Sequence, residues 1–415
     1  MEDYKPILKN KNFLYLWISQ ILSQLTINIV NFLILIKIYS DTHSSIATSL
    51  LWVAYALPAI LIGPFAATSV DMLNKKKLLV FTNLLQSVTV FSYILFSNSS
   101  VFLLYGIAVV YSLLNQFYVP AEQSTLPSVV QKAAYPLANG LFIITQQGAL
   151  VVGFGVAGLL LQLLGFEYSI LLCSGFLFLA FISVLFLPEM KTKDFIPEDL
   201  GDAVLKFFDR IAEGYSYIKD HRYVLTPFLL LLSLQVALVI VMVNVPIFST
   251  EILNINVNQA GALIVVPAGI GAAMGALTFP KALKRGLRKK VVVENSMLIM
   301  SLSLLLFSFL IPMMFGLYRV VTAMFVAAAL GFGFIGITVP AQTFLQEKTP
   351  LGLRGRVFGN YGFLAIVVTI FPVIITGTIT ELFGPKFLIF TLFVLSLTGL
   401  IIIKKYGEEF LRNGS

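Results

Sequence analysis

The sequence predicts an all-α membrane protein of twelve transmembrane helices in two six-helix halves. Three observations lead there. Hydrophobic residues make up 58% of the 415 and charged residues only 12%, against roughly half and a quarter in soluble domains. The apolar residues fall into long runs, each able to supply the ~20 residues of a crossing. The basic residues gather in alternate loops, the pattern of a chain threaded many times through a bilayer.

Twelve apolar runs are separated by charge or turn residues. They lie at about 13–37, 45–70, 78–97, 101–119, 137–164, 168–187, 224–250, 258–280, 292–312, 319–341, 358–380 and 386–403. None shows the ten-residue alternation of outer-membrane strands. The polar start "MEDYKPILKNKNF" leads into a first run of about 25 residues with no small-residue cleavage site after it. That run is too long for a cleaved signal core, so it reads as a retained span.

With the N-terminus inside, the inner segments hold 25 of the 28 Lys and Arg residues; only Lys37, Arg319 and Lys386 lie outside. This asymmetry predicts that both termini are cytoplasmic. The net charge of +8 follows topology rather than a nucleic-acid face, and no nucleic-acid partner is expected. The stretch "SVDMLNKKKLL", Ser69–Leu79, has a first reading in the same terms. Lys75, Lys76 and Lys77 hold loop 2–3 on the cytoplasmic side.

The longest polar stretch divides the chain into residues 1–187, a middle loop at 188–222, and residues 223–415. Within the loop, Val204, Phe207, Phe208, Ile211 and Tyr215 recur at helical spacing, with Asp202, Lys206, Asp209 and Glu213 between them. That pattern predicts an amphipathic helix along the inner membrane face. The two halves also share sequence. "VPA" ends span four at Val119–Ala121 and span ten at Val339–Ala341, and Lys75–Lys77 matches Arg288–Lys290. Two alignable halves are an architecture of secondary transporters.

Several motifs resolve into packing. GxGxxG occurs at Gly153, Gly155, Gly158 and at Gly331, Gly333, Gly336. The dinucleotide fingerprint needs a strand before it and a helix after it, whereas both copies sit inside apolar spans. There, small residues let helix backbones approach closely; Gly271 and Gly275 read the same way. No phosphate loop appears. The two histidines, His43 and His221, and the single cysteine, Cys173, form no ligand cluster. No metal, cofactor or enzymatic activity is expected.

The polar residues of span one are the informative ones. Gln20, Gln24, Asn28 and Asn31 fall within an arc of about 80° on a helix. Such a stripe avoids lipid. It faces either a neighbouring helix or a substrate cavity. Asn115, Gln146, Gln147, Gln235, Asn244, Asn360 and Tyr361 are weaker cavity candidates. Asp71 and Glu122 read as lying at the cytoplasmic ends of spans two and four.

With these residues in view, the chain resembles the major facilitator superfamily over roughly residues 12–403. The family's loop 2–3 motif runs Gly, several residues, then Asp-Arg-x-x-Arg-Arg. Here it reads "GPFAATSVDMLNKKK". Asp71 fits the acid, Lys75 and Lys76 fit the basic pair, and Met72 replaces an arginine. "FYVPA" and "FLQEKTPLGLRGRVFGNYG" are similar to the bacterial branch of macrolide-efflux proteins and the enterobactin exporter. Two positions depart from that pattern: Tyr111 stands where many relatives carry arginine, and Phe154 where span five often has proline.

The resemblance implies the major facilitator fold in a bacterial cytoplasmic membrane. It implies a monomer that exports hydrophobic or amphipathic small molecules by alternating access, with protons as coupling ion. The alternatives are a dedicated exporter of a siderophore or lipid-like metabolite, and a transporter-like sensor that moves nothing. The resemblance also assigns an inner gate to Asp71, Lys75, Lys76, Glu122, Arg354 and Arg356.

Overall fold

The computed structural model describes residues 5–96, 101–131, 134–190 and 200–410. Among them no strand occurs. The helices are α1 (Lys5–Leu8), α2 (Lys11–Thr42), α3 (Ser45–Leu61), α4 (Gly63–Met72), α5 (Lys75–Leu95), α6 (Phe102–Val129) and α7 (Tyr135–Leu185). They continue as α8 (Leu200–Asp220), α9 (Arg222–Ile247), α10 (Val266–Lys284), α11 (Lys289–Leu305), α12 (Gly316–Lys348), α13 (Leu351–Phe383) and α14 (Pro385–Phe410).

Ten helices among the described residues are long and apolar enough to cross a membrane. Two features bring this to twelve crossings. α7 holds an apolar stretch of 49 residues, Leu137–Leu185, more than twice one crossing. It is broken at Gly165, where φ is 77° and ψ 174°, a conformation that suits glycine. One more crossing is divided between α3, of 17 residues, and α4, of 10. The break falls at Ile62, with Pro64 opening α4 because proline fits a first helical turn and lacks an N–H to continue the previous one.

The chain forms two compact units. The first comprises residues 1–41 and 53–207, the second residues 42–52 and 208–415. In the first, Phe13, Leu16, Leu79, Tyr118, Leu126 and Val184 are buried in one apolar core. In the second, Val224, Phe228, Leu231, Leu345 and Val357 form one cluster, and Val293, Ile337 and Phe344 another. Leu163, Phe325 and Phe371 stay exposed, as side chains do where lipid replaces water.

The second unit relies on small residues. A Cβ at Gly271 would lie 1.8 Å from the Ala328 carbonyl oxygen, and one at Gly331 only 1.9 Å from that of Ala268. α10 and α12 therefore touch backbone to backbone at two reciprocal points. This is the packing reading of the second GxGxxG. In the first copy, a Cβ at Gly153 would meet the Asn28 Cβ at 2.6 Å, which sets α7 against α2.

Residues 42–52 pack within the second unit. Trp52 Nε1 donates to Thr369 Oγ1 at 3.2 Å. The Glu381 carboxylate accepts from Ser44 Oγ and, at 3.0 Å, from the Ile46 amide. It thus caps the N-terminus of α3, where orphan N–H groups favour an anion.

The predicted amphipathic helix exists as α8, and from Phe208 onward it belongs to the second unit. Val204, Lys206 and Phe207 have side chains outside the described residues. The face that packs is centred on Gly214 and Ile218, both buried, whereas Phe208 and Tyr215 are exposed. Asn360 Nδ2 donates to the Ile211 carbonyl at 3.0 Å. Tyr217 Oη donates to the Lys348 carbonyl at 3.4 Å, and Arg356 pairs with Glu213. Desolvation, then the neighbouring Tyr223 hydroxyl, pushes the Tyr217 phenol up, so it stays a neutral donor.

A Cβ at Gly214 would lie 2.1 Å from Asn360 Nδ2 and 3.1 Å from the Arg356 carbonyl oxygen. Gly214→Val is therefore expected to lift α8 off α13, at about 1–3 kcal/mol of overpacking. Hydrogen exchange of residues 208–220 should then speed up roughly tenfold or more. Removing Arg356 should do less, because that pair is partly exposed and exposed pairs contribute about 0–1 kcal/mol.

Candidate functional site

The first unit carries a buried polar thread built from three helices. Tyr118 Oη, on α6, donates to Glu122 Oε1 at 2.7 Å. Tyr118 Oη lies 3.4 Å from Ser19 Oγ, on α2. Asn83 Nδ2, on α5, donates to Ser19 Oγ at 3.2 Å. Ser23 Oγ donates to Asn83 Oδ1 at 3.1 Å. All five side chains are at most 4% exposed.

Local sequence makes this geometry. Tyr118 and Glu122 are four apart, so they share one face of α6. Ser19 and Ser23 are four apart on α2 and bracket Asn83. The residues lie at one depth: Ser19 and Asn83 are eight residues from the starts of α2 and α5, and Glu122 seven from the end of α6. At 1.5 Å per residue that is about 10–12 Å inside the helix ends.

The thread has a direction. Tyr118 has one hydrogen and gives it to Glu122, so its oxygen accepts from Ser19. Ser19 in turn accepts from Asn83, whose amide oxygen accepts from Ser23. Every donor points toward the carboxyl group. One turn further along α5 is Gln86, fully buried, with neither amide atom partnered among the described residues. Gln20 Oε1 and Thr26 Oγ1, on α2, are likewise buried without a partner.

Glu122, expected at a span end, is also buried. α6 continues through Pro120 and Pro127 to Val129, and the carboxyl is 3% exposed inside the unit. Among the described residues it makes no ion pair. Asp71 lies on α4, and its side chain is outside the described residues. Lys75 Nζ donates to the Ser124 carbonyl at 3.0 Å. Asn74 caps α5 by accepting from the Lys77 amide, and its Nδ2 donates to the Met190 carbonyl at 3.1 Å. Lys76 is half-buried.

In the second unit, Lys289 reaches Glu347 near the end of α12. Each unit thus ties the basic cluster that opens one helix to the end of another, Lys75 to the Ser124 carbonyl and Lys289 to the Glu347 carboxylate. Arg354 Nε donates to the Thr349 carbonyl at 3.1 Å, and Arg356 holds α8 through Glu213.

The candidates for substrate contact divide by environment. On α2, Gln20 Nε2 donates to the Phe142 carbonyl at 3.3 Å. Asn28 Nδ2 donates to the Gln24 carbonyl at 2.7 Å, and Gln24 and Asn31 are half-buried. Asn115 Nδ2 lies 3.4 Å from Tyr55 Oη. Gln146 and Gln147 are exposed, and Gln235 is half-buried. Asn244 is buried and accepts from Thr380 Oγ1 at 3.2 Å. Asn360 holds the Ile211 carbonyl, and Tyr361 stands edge-on to Phe228 with ring centroids 6.2 Å apart. Among the described residues no group of three His, Cys, Asp or Glu side chains is placed to hold a metal.

The family model of the Major Facilitator Superfamily matches residues 16–372. The chain belongs to the major facilitator superfamily. This superfamily member is 24% identical over 389 residues to the uncharacterized MFS-type transporter YfiS of Bacillus subtilis (strain 168), covering 92% of this chain and 89% of the relative. A second relative from that organism, the uncharacterized MFS-type transporter YjbB, is 29% identical over 188 residues, 44% of this chain and 46% of its own length. Among solved structures, the nucleoside transporter NupG superposes with a TM-score of 0.72 at 16% identity, over 95% of this chain and 99% of that one. The POT family transporter PepTSo gives 0.70 at 12% identity, over 98% and 99%. These two likenesses establish the fold alone. As a member of the superfamily, the protein is a multi-pass membrane transporter.

Proposed function

We propose that this transporter exports hydrophobic or amphipathic small molecules across a bacterial cytoplasmic membrane, with both termini in the cytoplasm. It works as a monomer, by alternating access, as a proton antiporter. The observation that supports export of amphipathic molecules without selection for charge is the chemistry of α2. Three of its half-buried polar residues, Gln24, Asn28 and Asn31, are amides, and amides orient a ligand by hydrogen bonds without selecting for charge. The match to a macrolide-efflux-like branch at "FYVPA" and "RGRVFG" favours outward movement.

The inner-gate role belongs to Asp71, assisted by Lys75 and Lys76. Fixing Lys75 to α6 through the Ser124 carbonyl gives the loop a defined seat beside α4.

A panel of cationic dyes and macrolides tests this reading in an efflux-deficient bacterial host. Cells with the wild-type protein should accumulate less of at least one compound. Asp71→Asn, at matched expression, should restore accumulation. Equal accumulation across the panel would remove the broad efflux reading and favour a dedicated metabolite. Wild-type export by Asp71→Asn would remove the gate.

A further inference from the structure

We propose that Glu122 is the proton-carrying group of the transport cycle, loaded through the polar thread that climbs α2 and α5. This rests on the proton-antiport reading above and names the residue that carries it.

Glu122 is a carboxyl group in the interior of a membrane protein, and such groups mark ion or proton pathways by default. Its setting fits a proton. The side chains shown on it are neutral: Tyr118 on its own helix, then Ser19, Asn83 and Ser23 behind it. α2 joins it through the Ser19 hydroxyl on Tyr118. α5 opens with Lys75, Lys76 and Lys77, and the Lys75 ammonium is engaged by the Ser124 carbonyl. α4 carries Asp71, whose side chain is outside the described residues. A group held by neutral partners gains or loses a proton without breaking an ion pair.

The partners also accommodate both states. As a carboxylate, Glu122 accepts from Tyr118. When it takes a proton, it gains an O–H and becomes a donor; Tyr118 then accepts and turns its own hydrogen to Ser19. Either oxygen of the Ser19–Tyr118 pair is placed to donate, so the switch needs only hydroxyl rotation. One proton enters and one leaves, with no other bond made or broken.

The thread supplies a route. Gln86 follows Asn83 by three residues on α5, Gln20 follows Ser19 and Thr26 follows Ser23 on α2, and all three are buried with polar atoms unpartnered among the described residues. Water bridging such atoms would relay a proton to the thread. The route also touches the stripe that would read substrate, because Gln20 and Gln24 directly follow Ser19 and Ser23 in α2. Proton state and substrate contact are thereby carried by one helix.

The test uses two readouts on the full-length protein. Infrared difference spectroscopy of purified protein, titrated with pH in sodium-free buffer, should show a protonated-carboxyl band that vanishes in Glu122→Gln and shifts in Glu122→Asp. In inside-out vesicles, Glu122→Gln should lose ethidium uptake driven by a pH gradient while keeping ethidium exchange across vesicles without a gradient. Glu122→Asp should retain part of the driven uptake. A titrating band unchanged in Glu122→Gln would overturn the proposal, and so would driven uptake at the wild-type rate. A band that follows sodium at fixed pH would also overturn it, assigning the site to a metal cation. Should the wild type move no compound of the panel, the efflux reading fails while the infrared titration still decides Glu122.

Discussion

Gly331→Val is expected to abolish stable folding of the second unit, and Gly271→Leu to do the same from the opposing helix. The reason is backbone contact. The nearest atoms to a Cβ at either position are carbonyl oxygens, at 1.8 and 1.9 Å, far inside van der Waals distance. A flexible side chain could swing aside, but here α10 and α12 must separate. Overpacking of a core costs about 1–3 kcal/mol, occasionally more, and these sites belong at the upper end because both walls are rigid. Thermal melting in detergent should fall sharply for either variant, and even alanine should be felt. Gly362→Ala is the control, since nothing lies within 4 Å of its Cβ position; it should melt like the wild type. A wild-type melting profile for Gly331→Val would refute the packing of α10 on α12.

Asn83→Leu is expected to leave a folded protein that does not transport. Asn83 is completely buried and joins Ser23 to Ser19. Leucine keeps the branched heavy-atom skeleton, with bulkier methyl ends, and removes both hydrogen bonds. Each is worth only about 0.6 kcal/mol in membrane proteins, so stability should drop little. Function should drop entirely, because the thread to Tyr118 and Glu122 is cut where no other described side chain bridges it. Dye accumulation in an efflux-deficient host, beside a melting curve of the purified variant, separates the two effects. Full extrusion by Asn83→Leu would show that the thread is only structural; ordinary loss of fold would show up as a melting shift of the kind Gly331→Val gives.

Much of the fold was legible in the sequence because membranes impose a simple rule. Every backbone polar group must be satisfied within a helix, so runs of apolar residues report crossings directly. The glycine motifs were legible for the same reason: in a span, small residues mean close helices. The breaks were less so. The second crossing reads as one run at 45–70, yet Gly63 and Pro64 divide it. The fifth and sixth read as two runs, 137–164 and 168–187, and the chain breaks between them at Gly165.

The site was harder to read. The fourth run reads as 101–119, which puts Glu122 at its cytoplasmic end and gives no sign of its burial. α6 passes through both prolines to Val129, as membrane helices can when neighbours satisfy the freed carbonyls, and Glu122 is buried among the helices of the first unit. The amides of α2 drew attention as a stripe, while the more buried face carries Ser19, Ser23 and Thr26. Hydroxyl residues are common in membrane helices and bond their own backbone, so they give little signal alone. The Tyr118–Glu122 spacing of four was the available clue. Asn360 and Arg356 illustrate a different limit: their partners lie in α8, about 150 positions earlier in the chain, and no local pattern announces that contact.

The central claim is that this protein moves a small amphipathic molecule against a proton gradient. Purified protein in liposomes, loaded with ethidium-binding nucleic acid and given an imposed pH gradient, tests it most directly. Ethidium fluorescence inside should rise faster than in empty liposomes, and a protonophore should return it to the empty-liposome rate. Fluorescence that matches empty liposomes with and without the gradient, across ethidium and a panel of related cationic dyes, would contradict it.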